Sequence, residues 1–188
     1  VFSNLRHSSL SKEVLYTGLF GSGLLLVLLG LVLRQNFYIP LLIAGAAGIG
    51  LVHHMAEVYR LPAAPGWNTW RTNAGFFVSM ILLGIAAMTP NLAYKSNITS
   101  IQSPSSQWTI IGLLILSLLV IQLVLMHKPA AKTSTQASRI GLILIGALLA
   151  VHVAFLSNIN HALPRILMSV FVISEEVLGR WAFYRSRL

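Results

Sequence analysis

Residues 14–33 read VLYTGLFGSGLLLVLLGLVL, twenty consecutive positions without a charge. At 1.5 Å of helical rise per residue such a run is about 30 Å long, the thickness of a bilayer's hydrocarbon core. Five more stretches of similar character follow at 38–58, 74–90, 107–126, 140–157 and 163–183. Lipid offers no hydrogen-bonding partner to the backbone, so at these lengths only α-helices satisfy every peptide group. The expected fold is therefore an all-α integral membrane protein, a six-transmembrane-helix bundle with residues 1–188 forming one domain.

Composition agrees. The chain is 56% hydrophobic and 9% charged, and it has no aspartate; soluble domains carry about a quarter charged residues. A net charge of +9 would ordinarily raise nucleic acid as a partner, but the basic residues are sorted by topology. Of the thirteen lysines and arginines, only Arg34, Lys95 and Arg165 fall on one side of the six spans, which leaves ten on the other. Excess basic charge marks cytoplasmic segments, so both ends of the chain are expected in the cytoplasm, with no nucleic-acid partner. The four acids Glu13, Glu57, Glu175 and Glu176 fall in the cytoplasmic half as well, which confines acid–base chemistry to that side. Without cysteine the chain holds no iron–sulfur cluster and no disulfide, so any metal electron carriers belong to a partner. The start at Val1 lacks the layout of a signal peptide, and a processed or truncated start is expected.

Few residues could carry chemistry. Glu13 opens the first span, where it either complements the helix dipole or serves as a carboxylate at the membrane surface. Glu57 and Arg60 are three apart and Glu176 and Arg180 four apart, both spacings that pair across one helical turn. Glu175 beside Glu176 then needs a polar pocket or a proton. His53 and His54 sit near the cytoplasmic end of the second span and His152 deep in the fifth. No span repeats the histidines that two haems would need, and neither haem nor any other metal site is expected. The small residues Ala44/Gly48 and Ala46/Gly50 in AGAAGIG (44–50) suit close helix packing. The connection YRLPAAPGWNTWRTN (59–73) combines two prolines with Trp67 and Trp70, a rigid turn at the membrane interface.

Three segments carry a resemblance: SSLSKEVLYTGLF (8–20), YRLPAAPGWNTWRTNAGFF (59–77) and EEVLGRWAFY (175–184). Together, and in this order, they resemble the membrane-anchor subunit of anaerobic dimethyl sulfoxide reductase, which is related more distantly to polysulfide reductase-type anchors. The resemblance implies an eight-helix anchor without haem, of which this chain looks like helices three to eight with the N-terminal helices missing. It implies a subunit that oxidises menaquinol and passes electrons to an iron–sulfur partner and on to a molybdopterin catalytic subunit. Glu13 matches the family's quinol-binding carboxylate, and Trp67 would border the quinone entrance or the partner interface. Glu57, Arg60, Glu176 and Arg180 would be structural or part of a proton path. The family's quinol-site histidine has no match here, so the site looks incomplete. An anchor for tetrathionate, polysulfide or selenate reduction is the alternative within respiration, and a small membrane transporter the alternative outside it.

Overall fold

The computed structural model describes residues 8–35, 38–60, 68–98, 105–125, 133–155 and 162–185. Six α-helices account for nearly all of them: α1 Ser9–Val32, α2 Tyr38–Tyr59, α3 Trp70–Ile98, α4 Ser105–Leu125, α5 Thr133–Phe155 and α6 Ala162–Arg185. They group into two compact units, residues 1–77 and 78–188.

The first unit is an antiparallel hairpin of α1 and α2. Ser8 caps α1, its hydroxyl accepting the Ser11 amide at 3.4 Å, which satisfies one of the donors a helix start leaves open. At the other end Gln35 N–H donates to Gly30 O and Arg34 N–H to Leu31 O. That 6→1 and 5→2 pattern is a Schellman closure, with Arg34 at φ 53° where glycine is usual. Along the seam a Cβ on Gly23 would lie 2.9 Å from Ala44 Cβ, and one on Gly48 3.3 Å from the Phe20 ring. At Gly50 it would overlap the ring of Tyr16. The small residues of α2 thus admit the bulk of α1. Ala44, Ala47 and Ala56 are buried, whereas Ala46 is exposed. Of the two expected small-residue pairs, Ala44/Gly48 lies in the seam; in the other, only Gly50 does.

The second unit is built from the rest of α3 with α4, α5 and α6. Helix α5 runs antiparallel to both neighbours: Gly112 and Thr109 of α4 meet Ala150 and Ala154 of α5, and Arg139 of α5 meets Gly179 of α6. Helices α4 and α6 are consequently parallel. Gly112 marks the closest approach, since a Cβ there would stand 2.6 Å from Ala150 O. Leu82, Ile115, Leu119, Met168 and Val172 form the heart of one apolar cluster. Helix α3 is longer at both ends than the expected span 74–90 and passes through Pro90. Proline removes an interior N–H; beside it the Thr89 hydroxyl donates to Ile85 O, one turn back, at 2.8 Å.

Five helices, α1 to α5, are long and apolar enough to cross a bilayer, by length and composition. The sixth forms over the expected span with 24 residues, yet it falls outside that set. Five charged residues, Arg165, Glu175, Glu176, Arg180 and Arg185, dilute its apolar character.

Candidate functional site

Polar side chains gather in two places. The first is the end of the hairpin where α1 begins and α2 finishes. Glu13 is half-buried and belongs to the second turn, because α1 already starts at Ser9 and has no acid in its first turn. A dipole-complementing role acts within the first turn, so this register weakens that reading. One turn further on, the Tyr16 ring stacks on the His54 imidazole with centroids 5.1 Å apart. His53 meets His54 edge-on at 5.2 Å, and the Lys12 ammonium is within electrostatic range of His54. His53 Nε2 stands 4.0 Å from Glu57 Oε1, and Arg60 Nη1 stands 3.8 Å from the same oxygen. The antiparallel register that sets Tyr16 against Gly50 and His54 puts Glu13 level with the stretch from His54 to Glu57.

The chemistry available there follows from the groups. A carboxylate, two imidazoles and a phenol at one level can accept and pass protons and can hydrogen-bond a hydroxylated ligand. His54 Nδ1 is buried and lacks a hydrogen-bond partner, an open position on a group that can take a proton. His53, His54 and Glu57 also bring potential metal-ligand atoms within 4.8 Å of one another, a cluster the sequence did not lead us to expect. Arg60 on the Glu57 carboxylate and Lys12 near His54 place positive charge where a cation would have to bind. Trp67 lies outside the described residues.

The second place is the interior of the α4–α5–α6 unit. Glu175 is 1% exposed. Its Oε1 accepts from Arg139 Nε at 2.9 Å and Nη2 at 2.7 Å, and its Oε2 accepts from Gln122 Nε2 at 2.8 Å. One carboxylate thereby ties three helices together. Gly179 makes the arrangement possible, because a Cβ there would stand 2.5 Å from Arg139 Nη2. Glu175 takes its partners from other helices, Arg139 of α5 and Gln122 of α4, neither of which the sequence reading singled out. Helix α5 begins at Thr133, so Arg139 is well inside it. Glu176 is buried beside this network, and its Oε1 has no partner.

Sequence reasoning missed Arg139 and Gln122 as Glu175 partners, and the His54–Tyr16 stack. One signal was present: Gly179 follows Glu175 by four residues and shares its face, and a glycine on a buried face marks a close approach.

The family model for the DMSO reductase anchor subunit (DmsC) matches residues 2–185, nearly the whole chain. No curated protein and no solved structure matches. The chain belongs to the DMSO reductase anchor subunit family, and with its apolar helices it is a multi-pass membrane protein.

Proposed function

Starting from that family membership, we propose that the chain is the menaquinol-oxidising anchor of a dimethyl sulfoxide reductase complex in the bacterial inner membrane. The observation that carries this reading is the level shared by Glu13, Tyr16, His54 and Glu57 at one end of the α1–α2 hairpin. Oxidation of a quinol to a quinone releases two protons and two electrons. Glu13 accepts a hydrogen bond from a quinol hydroxyl and takes its proton. His54, whose buried Nδ1 has no hydrogen-bond partner, takes the second. Glu57, between His53 and Arg60, leads protons to the aqueous surface, where both its neighbours remain partly exposed.

The electrons leave by an iron–sulfur subunit and continue to a molybdopterin subunit. Electron transfer needs the quinol near the first cluster, so the partner docks on the face that holds the Glu13 end. The sorting of basic residues makes that face cytoplasmic, with both chain ends on it. Protons and electrons then depart on the same side, and turnover moves no net charge across the membrane.

The test is a titration of a menaquinol analogue against membranes holding the assembled complex, in wild type and in Glu13→Gln. Binding lost in the variant, with assembly unchanged, supports the assignment. Equal binding removes Glu13 from the site, and absence of binding in both leaves the chain as an anchor alone.

A further inference from the structure

Among the described residues of the second unit, Arg165 has no counter-ion. It stands in the first turns of α6, is 3% exposed, and its guanidinium lies 3.8 Å above the ring of Trp108 in the first turns of α4. The Nε and Nη1 atoms are buried without a hydrogen-bond partner. Arginine keeps its charge under any condition a protein meets, so this is a permanent buried cation with donors to spare. The second unit's acids, Glu175 and Glu176, begin ten residues along α6, about 15 Å away by helical rise. The sequence between α5 and α6, and that between α3 and α4, contains no acid at all. A buried charge without a partner is costly, and in membrane proteins it marks a site.

Its surroundings favour an anion. Helices α4 and α6 are parallel, and the side chains of Trp108 and Arg165 meet between their first turns. Each helix start presents N–H groups without intrahelical acceptors and the positive end of a dipole. Side chains in a helix lean toward its N-terminus, which carries the guanidinium toward this same end. Trp108 is itself buried and gives the guanidinium an apolar floor, leaving its in-plane donors for a ligand.

We infer that the paired starts of α4 and α6, with Arg165 between them, form a phosphate-binding site, filled by a phospholipid headgroup or by free phosphate. A phosphate oxygen accepts from the guanidinium in charge-assisted hydrogen bonds and supplies the missing negative charge. The site belongs to the second unit, and nothing in the proposed quinol chemistry depends on it.

The experiment uses the assembled complex in nanodiscs of phosphatidylcholine with and without phosphatidylglycerol, and in detergent with and without inorganic phosphate. Native mass spectrometry counts retained phosphatidylglycerol, and thermal unfolding reads protection by phosphate. Wild type should retain phosphatidylglycerol about tenfold better than Arg165→Gln, a factor that one charge-assisted hydrogen bond supplies. Arg165→Lys, which keeps the charge in case the glutamine variant does not assemble, should lie between them. Protection by inorganic phosphate without retention of phosphatidylglycerol identifies free phosphate as the ligand. Neither effect in wild type, or equal effects in all three proteins, overturns the site and leaves the guanidinium to water.

Discussion

The α1–α2 hairpin and the α4–α5–α6 unit each hold a carboxylate facing an arginine, and they hold it differently. In the hairpin, His53, Glu57 and Arg60 keep 46%, 37% and 35% of their side chains exposed, with contacts of 4.0 and 3.8 Å. In the other unit Glu175 is 1% exposed and accepts three hydrogen bonds of 2.7 to 2.9 Å. Loose, wet groups exchange protons with a ligand or with water; a dry carboxylate fixed by three donors does not. The proposed function puts proton traffic in the first cluster, and the three hydrogen bonds on Glu175 make the second a point of cohesion.

The largest effect that would break this contrast is expected at Arg139. Arg139→Ala leaves Glu175 buried without its cation, and the unit should lose about 3–5 kcal/mol of stability, measured as resistance to denaturation in detergent micelles. A loss below about 1 kcal/mol would show that water reaches Glu175 and that the two clusters are alike. Next comes Gly112→Val, which tests whether close helix contact matters as much as the ion pair in the same unit. The added side chain meets the backbone oxygen of Ala150, which has little freedom to move, and overpacking of this kind costs about 1–3 kcal/mol. The smallest effect on stability is expected at Glu57→Gln, at most about 1 kcal/mol for a partly exposed pair. That variant should instead slow quinol-dependent reduction of the terminal acceptor. Unchanged turnover beside lost stability would reverse the roles of the two clusters.

Helices were legible in the sequence because length and apolarity decide them, although α3 runs to Ile98 and α5 starts at Thr133, well beyond the apolar cores. Partners on other helices were not legible. Glu176 and Arg180 satisfy the one-turn spacing rule, and that rule sees only contacts within a helix. The contacts Glu175 makes come from two other helices and depend on Gly179 vacating the space. Arg139 follows a polar run, KTSTQAS at 132–138, which reads as a connector until α5 is seen to begin at Thr133. Glu13 stood out by residue type, and its depth in the second turn follows from Ser8 acting as the cap. The His54–Tyr16 stack rests on the register between two helices, which Gly50 sets and no pattern within either helix reports.

The Arg139–Glu175 bond also bears on how the chain is made. Synthesis delivers α5 before α6, and α5 is apolar enough to settle in the bilayer by itself. Helix α6, with its buried glutamates, is not. Arg139, already placed in α5, offers a counter-ion to Glu175 of α6 as that helix is made. A chain carrying Arg139→Ala should leave α6 uninserted in a fraction of newly made molecules, seen as exposure of its C-terminal end to protease on the wrong schedule or the wrong side.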